Sequence, residues 1–528
     1  MDKGITTNLK RDRLVKMTNA LVDFKSFLAL PLVWFASLEV SLEGEPKKGF
    51  FRQTHWRFNR KAKCLTVVAL TAVLLISVFA FLPKQNLTKA NVGTQNTYHS
   101  TATQSPTSSL KSTSTSPPFS KGVTTTGAAS SAEKITHAPG LIETAQTINS
   151  TVWMEVAANA WTYFQPSEGV YSFTGLPLAG TSFPGFTDWD LGCYIQAIID
   201  AQELNLTTTN GVWGSSNRIN MVLTFLENRP LDNDTGYPFQ FYNATSGDVY
   251  NITQETGVDI ADTGRLFVAL NNLISFNSSL KQPIDNLVYN KYGNRSNYAT
   301  LVPAIVADSQ TSTNIYSYYV YSGFADFFAS SFPGLSNVSN KILTNILSAP
   351  VTYSPYGDVS LNEAHITGDP LLLSIFELNN NDPRLLALSK QVYLASEDYY
   401  NATGQYCAFS EGTGPDGTFV DEWVVLPSGD TWKITEAGGG PYLNIEPIIY
   451  NKVAFSFLAL YNTTYARNML IYLEQNLPEP SYGYTDGATN GCVEGISTNG
   501  NGEILSNLGS DTNQLILDAA VYAIQNNP

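Results

Sequence analysis

Acidic and aromatic residues concentrate in the same long loops of this sequence. These loops span residues 183–190, 237–259, 409–432 and 482–503, and they are also rich in Gly and Asn. Sugar rings have flat apolar faces edged with hydroxyls, so a glycan cleft needs aromatic platforms together with polar and acidic side chains. Glycoside hydrolysis also needs one protonated carboxyl group and one ionised carboxylate. The loops therefore favour chemistry on carbohydrates.

The candidates for such a site are a set of acids and a set of tryptophans. The acids are Asp190, Asp259, Asp262, Glu363, Asp369, Glu411, Glu422, Glu436 and Glu494. The tryptophans are Trp161, Trp189, Trp213, Trp423 and Trp432. Taken singly, an acid is more often a solvated surface group and a tryptophan more often part of a core. Asp190 could instead be a helix N-terminal acid, and Asp262 with Arg265 a structural ion pair on one helix.

Histidine, cysteine and charge argue against several other kinds of site. His365 is the only histidine after residue 140, which disfavours a His-based triad or a His-rich metal centre. Four cysteines without a C-x-x-C pair disfavour a zinc site, so we expect no metal and no cofactor. Cys407 and Cys492 could form a disulfide or remain free thiols. The net charge is −15; residues 1–63 carry +7, so the remainder carries −22, which excludes nucleic acid as a partner.

The elements that must position these residues are mostly helices. Apolar residues recur with helical periodicity from about residue 141 onward. The predicted helices lie near 143–164, 189–204, 217–228, 259–276, 283–291, 314–331, 336–348, 369–378, 382–400, 446–461, 463–476 and 511–526. Asp-Pro pairs at 369–370 and 382–383 predict helix starts with Asp as the capping residue. Between 404 and 441, short strand-like runs predict a small β-hairpin insertion. This number of helices predicts a mainly α fold, an (α/α)6 toroid, over residues 141–528.

The segment before the helices predicts a membrane anchor. Residues 64–82 are uncharged and apolar, and as a helix they would extend roughly 28 Å, close to the hydrocarbon thickness of a bilayer. Basic residues crowd the N-terminal side of this segment, so the positive-inside rule places residues 1–63 in the cytoplasm. Residues 83–140 are rich in Ser, Thr and Pro, which is typical of a disordered stalk. We therefore expect a single-pass protein of the cell membrane with an extracellular C-terminal domain.

The distribution of glycosylation sequons agrees with this orientation. Every N-x-[ST] sequon follows the apolar segment, and none precedes it. The sequon asparagines are Asn86, Asn149, Asn205, Asn233, Asn243, Asn251, Asn277, Asn294, Asn337, Asn401 and Asn462.

Five short strings in the predicted toroid resemble the DUF3131 family. In chain order they are TDWDLGCYIQAIIDAQELNL, DIADTGRLFVAL, GDPLLLSIFELN, GQY followed by FSE, and TNQLILDAAVYA. The resemblance covers about residues 150–526. It implies similarity to glucoamylase-like and β-1,2-glucanase-type (α/α)6 proteins. The Trp-Asp pair of the family pattern matches Trp189-Asp190, and its acid after a Gly-containing turn matches Glu411. Where the pattern has Glu-Pro, this chain has the shorter Asp369.

Asp190, Glu411 and Glu436 are thus the preferred catalytic acids. The residues expected to bind substrate are Trp189, Asp262, Arg265, Asp369, Trp423, Trp432 and Glu494.

Three functional hypotheses follow, and all three involve a glycan. The first is a glycoside hydrolase or related glycan-processing enzyme that acts on a β-glucan-like polysaccharide by paired-carboxylate catalysis. The second is a non-catalytic glycan-binding or cell-envelope glycoprotein. The third is a polysaccharide lyase in which His365 and a tyrosine act on uronates, and the acidity of the chain disfavours it. Fold resemblance alone does not decide among them.

Overall fold

A computed structural model describes residues 140–181, 183–250, 259–291, 297–378, 382–414, 417–436, 447–477, 492–497 and 504–526. The predicted cytoplasmic segment, the predicted membrane span at 64–82 and all but the last residue of the predicted stalk lie outside these ranges. Within them, no helix combines the length and the apolar character that crossing a membrane requires.

The described residues form a mainly helical domain with small antiparallel sheets. The helices are α1 (Leu141–Thr144), α2 (Ser150–Tyr163), α3 (Asp188–Glu203), α4 (Ser215–Asn228), α5 (Ile260–Phe276), α6 (Lys281–Val288), α7 (Val302–Asp308), α8 (Ile315–Phe328), α9 (Val338–Ser348), α10 (Gly368–Phe376), α11 (Pro383–Thr403), α12 (Asn451–Tyr461), α13 (Thr464–Asn476) and α14 (Ser510–Asn526). The strands are β1 (Gly185–Phe186), β2 (Tyr242–Asn243), β3 (Val351–Tyr353), β4 (Ser360–Asn362), β5 (Glu411–Thr413), β6 (Phe419–Val425), β7 (Thr431–Glu436), β8 (Ile448–Tyr450), β9 (Val493–Ser497) and β10 (Ile504–Leu508).

Six of these helices close into an inner ring. Each packs on the next in the order α3, α5, α8, α10, α12 and α14, and α14 packs back on α3. The outer layer consists of α2 on α14, α4 on α3, α6 on α5, α9 on α8, α11 on α10 and α13 on α12. This arrangement confirms the predicted (α/α)6 toroid. The predicted helices correspond to α2–α6 and α8–α14, whereas the short helices α1 and α7 were not predicted.

Burial on all sides distinguishes the inner helices. Most residues of α3, α12 and α14 are buried, including polar ones, because neighbours surround each helix. Two glycines allow α5 and α8 to approach closely. A Cβ added to Gly264 would lie 2.5 Å from the Val320 carbonyl oxygen, and one on Gly323 would lie 2.3 Å from the Gly264 carbonyl oxygen. Only glycine fits at this crossing.

All inner helices begin at the same end of the ring, because an outer helix returns the chain between successive inner ones. Their starts are well capped. Thr187 and Asp190 form a capping box on α3, Asp259 accepts from backbone N–H groups of α5, and Asn314 caps α8. Asp382 caps α11 as predicted, but the same prediction for Asp369 is wrong, since Thr367 precedes α10. Asp369 lies inside the first turn of α10, and its carboxyl group accepts hydrogen bonds from Ser410 and Lys452.

Two three-stranded antiparallel sheets adjoin this end. One has the order β5–β6–β7 and contains the predicted hairpin insertion; the other has the order β10–β9–β8. In the first sheet Glu411 lies directly opposite Asp421. Cys407 and Cys492 are buried free thiols, so the disulfide that we considered is absent.

Candidate active site

Lys452 is the centre of a charge cluster at the N-terminal end of the inner ring. It lies in the first turn of α12 and forms ion pairs with Asp369 of α10 and Asp511 of α14. Asp511 also accepts a hydrogen bond from the Trp189 indole N–H at 3.1 Å. The Ser410 hydroxyl donates to the other oxygen of Asp369. Residues of the inner helices α3, α10, α12 and α14 and of the segment before β5 therefore meet around Lys452, either directly or through its two acidic partners.

A second pair of acids, Glu411 and Asp421, borders this cluster. The β5–β6 register places them opposite each other, and side chains that lie opposite in an antiparallel pair share a face of the sheet. The two carboxyl groups interact, and a side-chain hydrogen bond with Glu411 acts to lower the pKa of Asp421. The Tyr316 hydroxyl, at the start of α8, donates to Glu411.

The environment raises the pKa of most of these acids and lowers that of one. Burial, then the charge of Asp421, raises the pKa of Glu411 to about 8. Burial, then Asp369, raises the pKa of Asp421 to about 7. Burial raises the pKa of Asp369 to about 8, and the ammonium of Lys452 only partly opposes it. Burial also acts to raise the pKa of Asp511, but Lys452 and Trp189 outweigh it, so this pKa lies below 3.8. Asp511 is therefore the ionised carboxylate of the cluster near neutral pH.

This separation of pKa values within one cluster is what acid–base chemistry requires. Glu411 is protonated and can donate a proton, while Asp511 is ionised and can act as a base or nucleophile. Lys452 keeps its proton because the charges of Asp369 and Asp511 raise its pKa despite burial. It acts as a fixed positive charge.

Aromatic rings form a row beside the two carboxyl pairs. The Trp189 and Tyr316 ring centroids are 6.0 Å apart, those of Tyr316 and Trp423 are 6.5 Å apart, and those of His365 and Trp423 are 5.3 Å apart. Trp423 is two residues after Asp421 on β6, so both side chains project from the same face of the sheet. The row has the composition expected of a sugar-binding wall.

Comparison with known protein families gives a match over most of the helical domain. A family model described as "Protein of unknown function (DUF3131)" matches residues 155–525. The chain belongs to the DUF3131 family. No curated protein matches the sequence.

Solved structures of other proteins are similar to this chain. A putative glucoamylase from Bacteroides uniformis has a TM-score of 0.50 and 13% identity, with 73% of this chain and 96% of that chain covered. An endo-β-1,2-glucanase from Talaromyces funiculosus in complex with sophorose has a TM-score of 0.47 and 14% identity, with coverages of 72% and 84%. An endo-β-1,2-glucanase from Chitinophaga pinensis in complex with sophorotriose and glucose has a TM-score of 0.45 and 11% identity, with coverages of 71% and 93%. The first of these shows a common fold for the DUF3131 domain.

Asp190 lies in the DUF3131 domain next to the cluster, but its carboxyl group has structural partners. One oxygen accepts from the Thr187 backbone N–H at 2.9 Å and the other from the Ser510 hydroxyl at 2.6 Å. Burial raises the pKa of Asp190 to about 6. Asp262 is a neighbour, hydrogen-bonded to the Thr187 side chain, and burial raises its pKa well above 3.8. The helix-start role that we considered for Asp190 is the one that its contacts show.

The suggested ion pair between Asp262 and Arg265 is wrong. Arg265 is fully buried within the ring and pairs with Glu377, and it also donates to Gln514 at 3.0 Å. Arg265 lies about one turn after Asp262 on α5, and its partners come from the end of α10 and from α14. Its guanidinium lies 6.0 Å from the Trp189 ring centroid, so its connection to the cluster is through that ring.

The remaining predicted acids fall in different places. Glu494 borders the site, where it accepts from the backbone N–H of Thr413 and from Asn507, both at 2.8 Å, and burial raises its pKa. Glu436 pairs with Val420, so it lies on the face of the sheet opposite Glu411. The structure does not bring Glu436 into the cluster. Glu422 also points to that opposite face and accepts from the Ile448 backbone N–H at 2.8 Å.

Three members of the cluster were missed by sequence reasoning: Asp421, Lys452 and Asp511. Asp421 adjoins Glu422, which we named instead, and only the strand register decides which of the two faces the site. Asp511 and Lys452 each lie at the start of an inner helix. Five of the six inner helices, all except α8, have an acid or a lysine in the first turn, and this recurrence is a signal that could have identified both.

Proposed function

We propose that the DUF3131 domain is a glycoside hydrolase in which Glu411 is the proton donor and Asp511 is the carboxylate. The observation that carries this proposal is the opposite direction of the two pKa shifts within one cluster. Glu411 has Asp421 and Tyr316 as neighbours and no direct contact with a cation among the described residues. Asp511 contacts Lys452 directly.

The proposed reaction follows from these protonation states. Glu411 gives its proton to the glycosidic oxygen as the bond to the anomeric carbon breaks. Asp511 either removes a proton from the attacking water or attacks the anomeric carbon itself. In the first route one water is consumed, Asp511 holds its proton, and exchange with solvent restores the protonation of both groups. In the second route Glu411 takes the proton of the water that hydrolyses the bond between the sugar and Asp511, and so regains its own proton. Lys452 and the Trp189 N–H keep Asp511 ionised in a buried setting. The aromatic row from Trp189 to Trp423 borders these acids, and its rings are 8–9% exposed, so in this proposal the sugar contacts their exposed edges rather than open ring faces.

We further propose a β-glucan-like polysaccharide as the substrate. The only cation in direct contact with the cluster's acids, among the described residues, is Lys452, and its ammonium already contacts the carboxyl groups of Asp369 and Asp511. Such a site offers nothing to an anionic polymer. The description of the Bacteroides uniformis structure as a putative glucoamylase agrees with a glucan.

The test is release of reducing sugar from a panel of neutral β- and α-linked glucans. We expect Glu411→Gln and Asp511→Asn each to lower kcat by about 10²–10⁴-fold. Glu227→Gln, an exposed acid on α4, is the matched control and should release sugar at the wild-type rate. Wild-type rates in both site variants would rule out the assignment of the two acids.

A non-catalytic glycan-binding protein is the second candidate, and the intact aromatic row favours it. It predicts glucan binding without product release, and loss of binding in Trp423→Ala.

The lyase hypothesis predicts an unsaturated product with its own absorbance. His365 lies against Trp423, and burial lowers its pKa.

The membrane-anchored, extracellular arrangement is part of the proposal. Among the described sequons, Asn149, Asn205, Asn233, Asn277, Asn337, Asn401 and Asn462 are exposed, and Asn243 is half-buried. Exposure is what attachment of a glycan requires. We expect the full chain to partition with membranes and to lose mass on enzymatic deglycosylation. Recovery of an unglycosylated chain in the soluble fraction would contradict this part of the proposal.

A further inference from the structure

Trp432 has an unusual backbone conformation for a large side chain. Its φ angle is 58°, in the left-handed region, although it lies within strand β7. Bulky residues rarely adopt this conformation because Cβ crowds the backbone. The indole N–H is also buried, and no described residue accepts a hydrogen bond from it. Both features of Trp432 cost free energy, and backbone strain of this kind concentrates at functional sites.

The Trp432 ring lies at the centre of a group of aromatic contacts. Its centroid is 4.5 Å from that of Phe409, 5.0 Å from that of Tyr399 and 5.4 Å from that of Tyr356. Phe409 is buried and precedes Glu411 by two residues, whereas Tyr399 belongs to the outer helix α11. The indole therefore connects the rigid outer layer to the short segment that carries Glu411.

The other side of that segment is held by polar contacts. The Ser410 hydroxyl donates to Asp369, and the Ser410 carbonyl accepts from the Glu422 backbone N–H at 2.9 Å. The Ala408 backbone also bonds to Ile448 and Tyr450 of β8, so hydrogen bonds hold the main chain of this segment, whereas the apolar Phe409 side chain depends on packing. Phe409 against Trp432 provides that packing.

We propose that Trp432 is a positioning residue that holds the Glu411 carboxyl group at the site through Phe409, rather than a platform for sugar. This inference rests on the proposed function, because it concerns the proton donor of that reaction. Phe409 and Tyr399, both buried, take up much of the ring surface that a sugar would need. A displacement of about 1 Å of a reacting group can lower the rate by about 10²-fold, so such a contact is enough to matter.

Two substitutions distinguish the effect of the Trp432 ring from the effect of the strained backbone. Trp432→Gly removes the ring in a residue that tolerates positive φ, and Trp432→Phe keeps a ring. We expect the Gly variant to lower kcat by about 10–100-fold with KM within about threefold of wild type, and the Phe variant to retain most activity. Phe173→Leu, at an aromatic residue that is 87% exposed and lies outside the acid cluster, is the control and should behave as wild type. A raised KM at unchanged kcat in the Gly variant would overturn the inference and show that the ring binds sugar.

A double-mutant cycle with Phe409→Ala tests the path of the effect. If Trp432 acts through Phe409, the two losses in kcat are not additive; additive losses would contradict the path. Thermal unfolding of every variant checks that the domain is folded, and a Gly variant that does not fold is replaced by Trp432→Leu in the same cycle.

A readout without substrate separates this inference from the proposed function. In the ¹³C spectrum of a glutamate-labelled protein, Glu411→Gln identifies the Glu411 signal. We expect the pKa of Glu411 to fall toward its ordinary value in Trp432→Gly, because the carboxyl group becomes more solvated. An unchanged titration would overturn the positioning role even if no glucan is hydrolysed. Absence of hydrolysis by the wild type, together with a shifted titration, would instead contradict the proposed function alone.

Discussion

Replacing Lys452 with methionine should destabilise the domain strongly at neutral pH and much less in acid. The Lys452, Asp369 and Asp511 side chains are 3%, 0% and 20% exposed, so both ion pairs are shielded from water. Removing one partner of a buried pair leaves an uncompensated charge and costs about 3–5 kcal/mol. Methionine keeps the length and apolar stem of lysine, so loss of the ammonium dominates the effect.

The pH dependence follows from the direction of the Asp511 shift. Its pKa in the folded state lies below 3.8, so it contributes stability that is present above its unfolded pKa and is lost as pH falls through the folded value. Lys452 creates that contribution. Without the ammonium, burial acts to raise the pKa of Asp511 in the variant. The difference in free energy of unfolding between wild type and Lys452→Met should therefore shrink as pH falls from neutral toward the folded pKa of Asp511 in the wild type.

Urea unfolding at pH 7 and pH 3 measures this difference. Lys281→Met is the matched control, because Lys281 pairs with Asp285 at 3.2 Å with a side chain that is 61% exposed, and such pairs contribute less than about 1 kcal/mol. The double variant Lys452→Met/Asp511→Asn should recover part of the loss at pH 7. Equal destabilisation at both pH values, or a double variant no more stable than the single one, would refute the reasoning.

Three further predictions concern the pH profile, the ring packing and the buried acids. The value of kcat/KM should fall above about pH 8 as Glu411 loses its proton. The hydrogen bond from Tyr316 stabilises the ionised form of Glu411, so Tyr316→Phe should raise the pKa of Glu411 and move the alkaline fall in kcat/KM to higher pH. Gly264→Ala should cost at least about 2 kcal/mol in urea unfolding because its Cβ meets the backbone of α8, whereas Gly509→Ala, with its nearest neighbour at 3.6 Å, should cost little. Burial raises the pKa of Asp200 to about 7, so ionisation of this carboxyl group lowers the stability of the domain as pH rises from about 4 to 7. Asp200→Asn should therefore be about 2–4 kcal/mol more stable than wild type at pH 8. At about pH 4 the two proteins should be equally stable.

The fold was largely predictable because its helices carry periodic and capping signals. Asp382 followed by Pro383 marks the start of α11, and Gly404 in the left-handed conformation follows its end. The short helix α7 was missed because it has seven residues and few buried positions. The sheet β8–β9–β10 was missed because β8 is distant in sequence from β9, and pairing between these two strands has no local signature.

The site was only partly predictable, because its geometry depends on contacts between distant segments. Asp369 resembled a helix cap, but the lysine that binds it lies 83 residues later. Arg265 could reach Asp262 on its own helix, yet it pairs with Glu377, which is 112 residues away. Local spacing gives the possible partners of a charge, and the closure of the ring selects among them.

The topology of the ring explains why one end of the domain gathers so much chemistry. Helix N-termini carry partial positive charge, which favours acids in their first turns. Parallel inner helices bring such first turns together, and with them Asp190, Asp369 and Asp511. These acids are also buried, and burial raises their pKa values more than the helix ends lower them, except where Lys452 contacts Asp511 directly. Lys452 contacts both Asp369 and Asp511, but of these two acids it is Asp511 that also accepts from the Trp189 N–H. The lysine and the indole together make Asp511 the carboxylate, and burial leaves Glu411 as the proton donor.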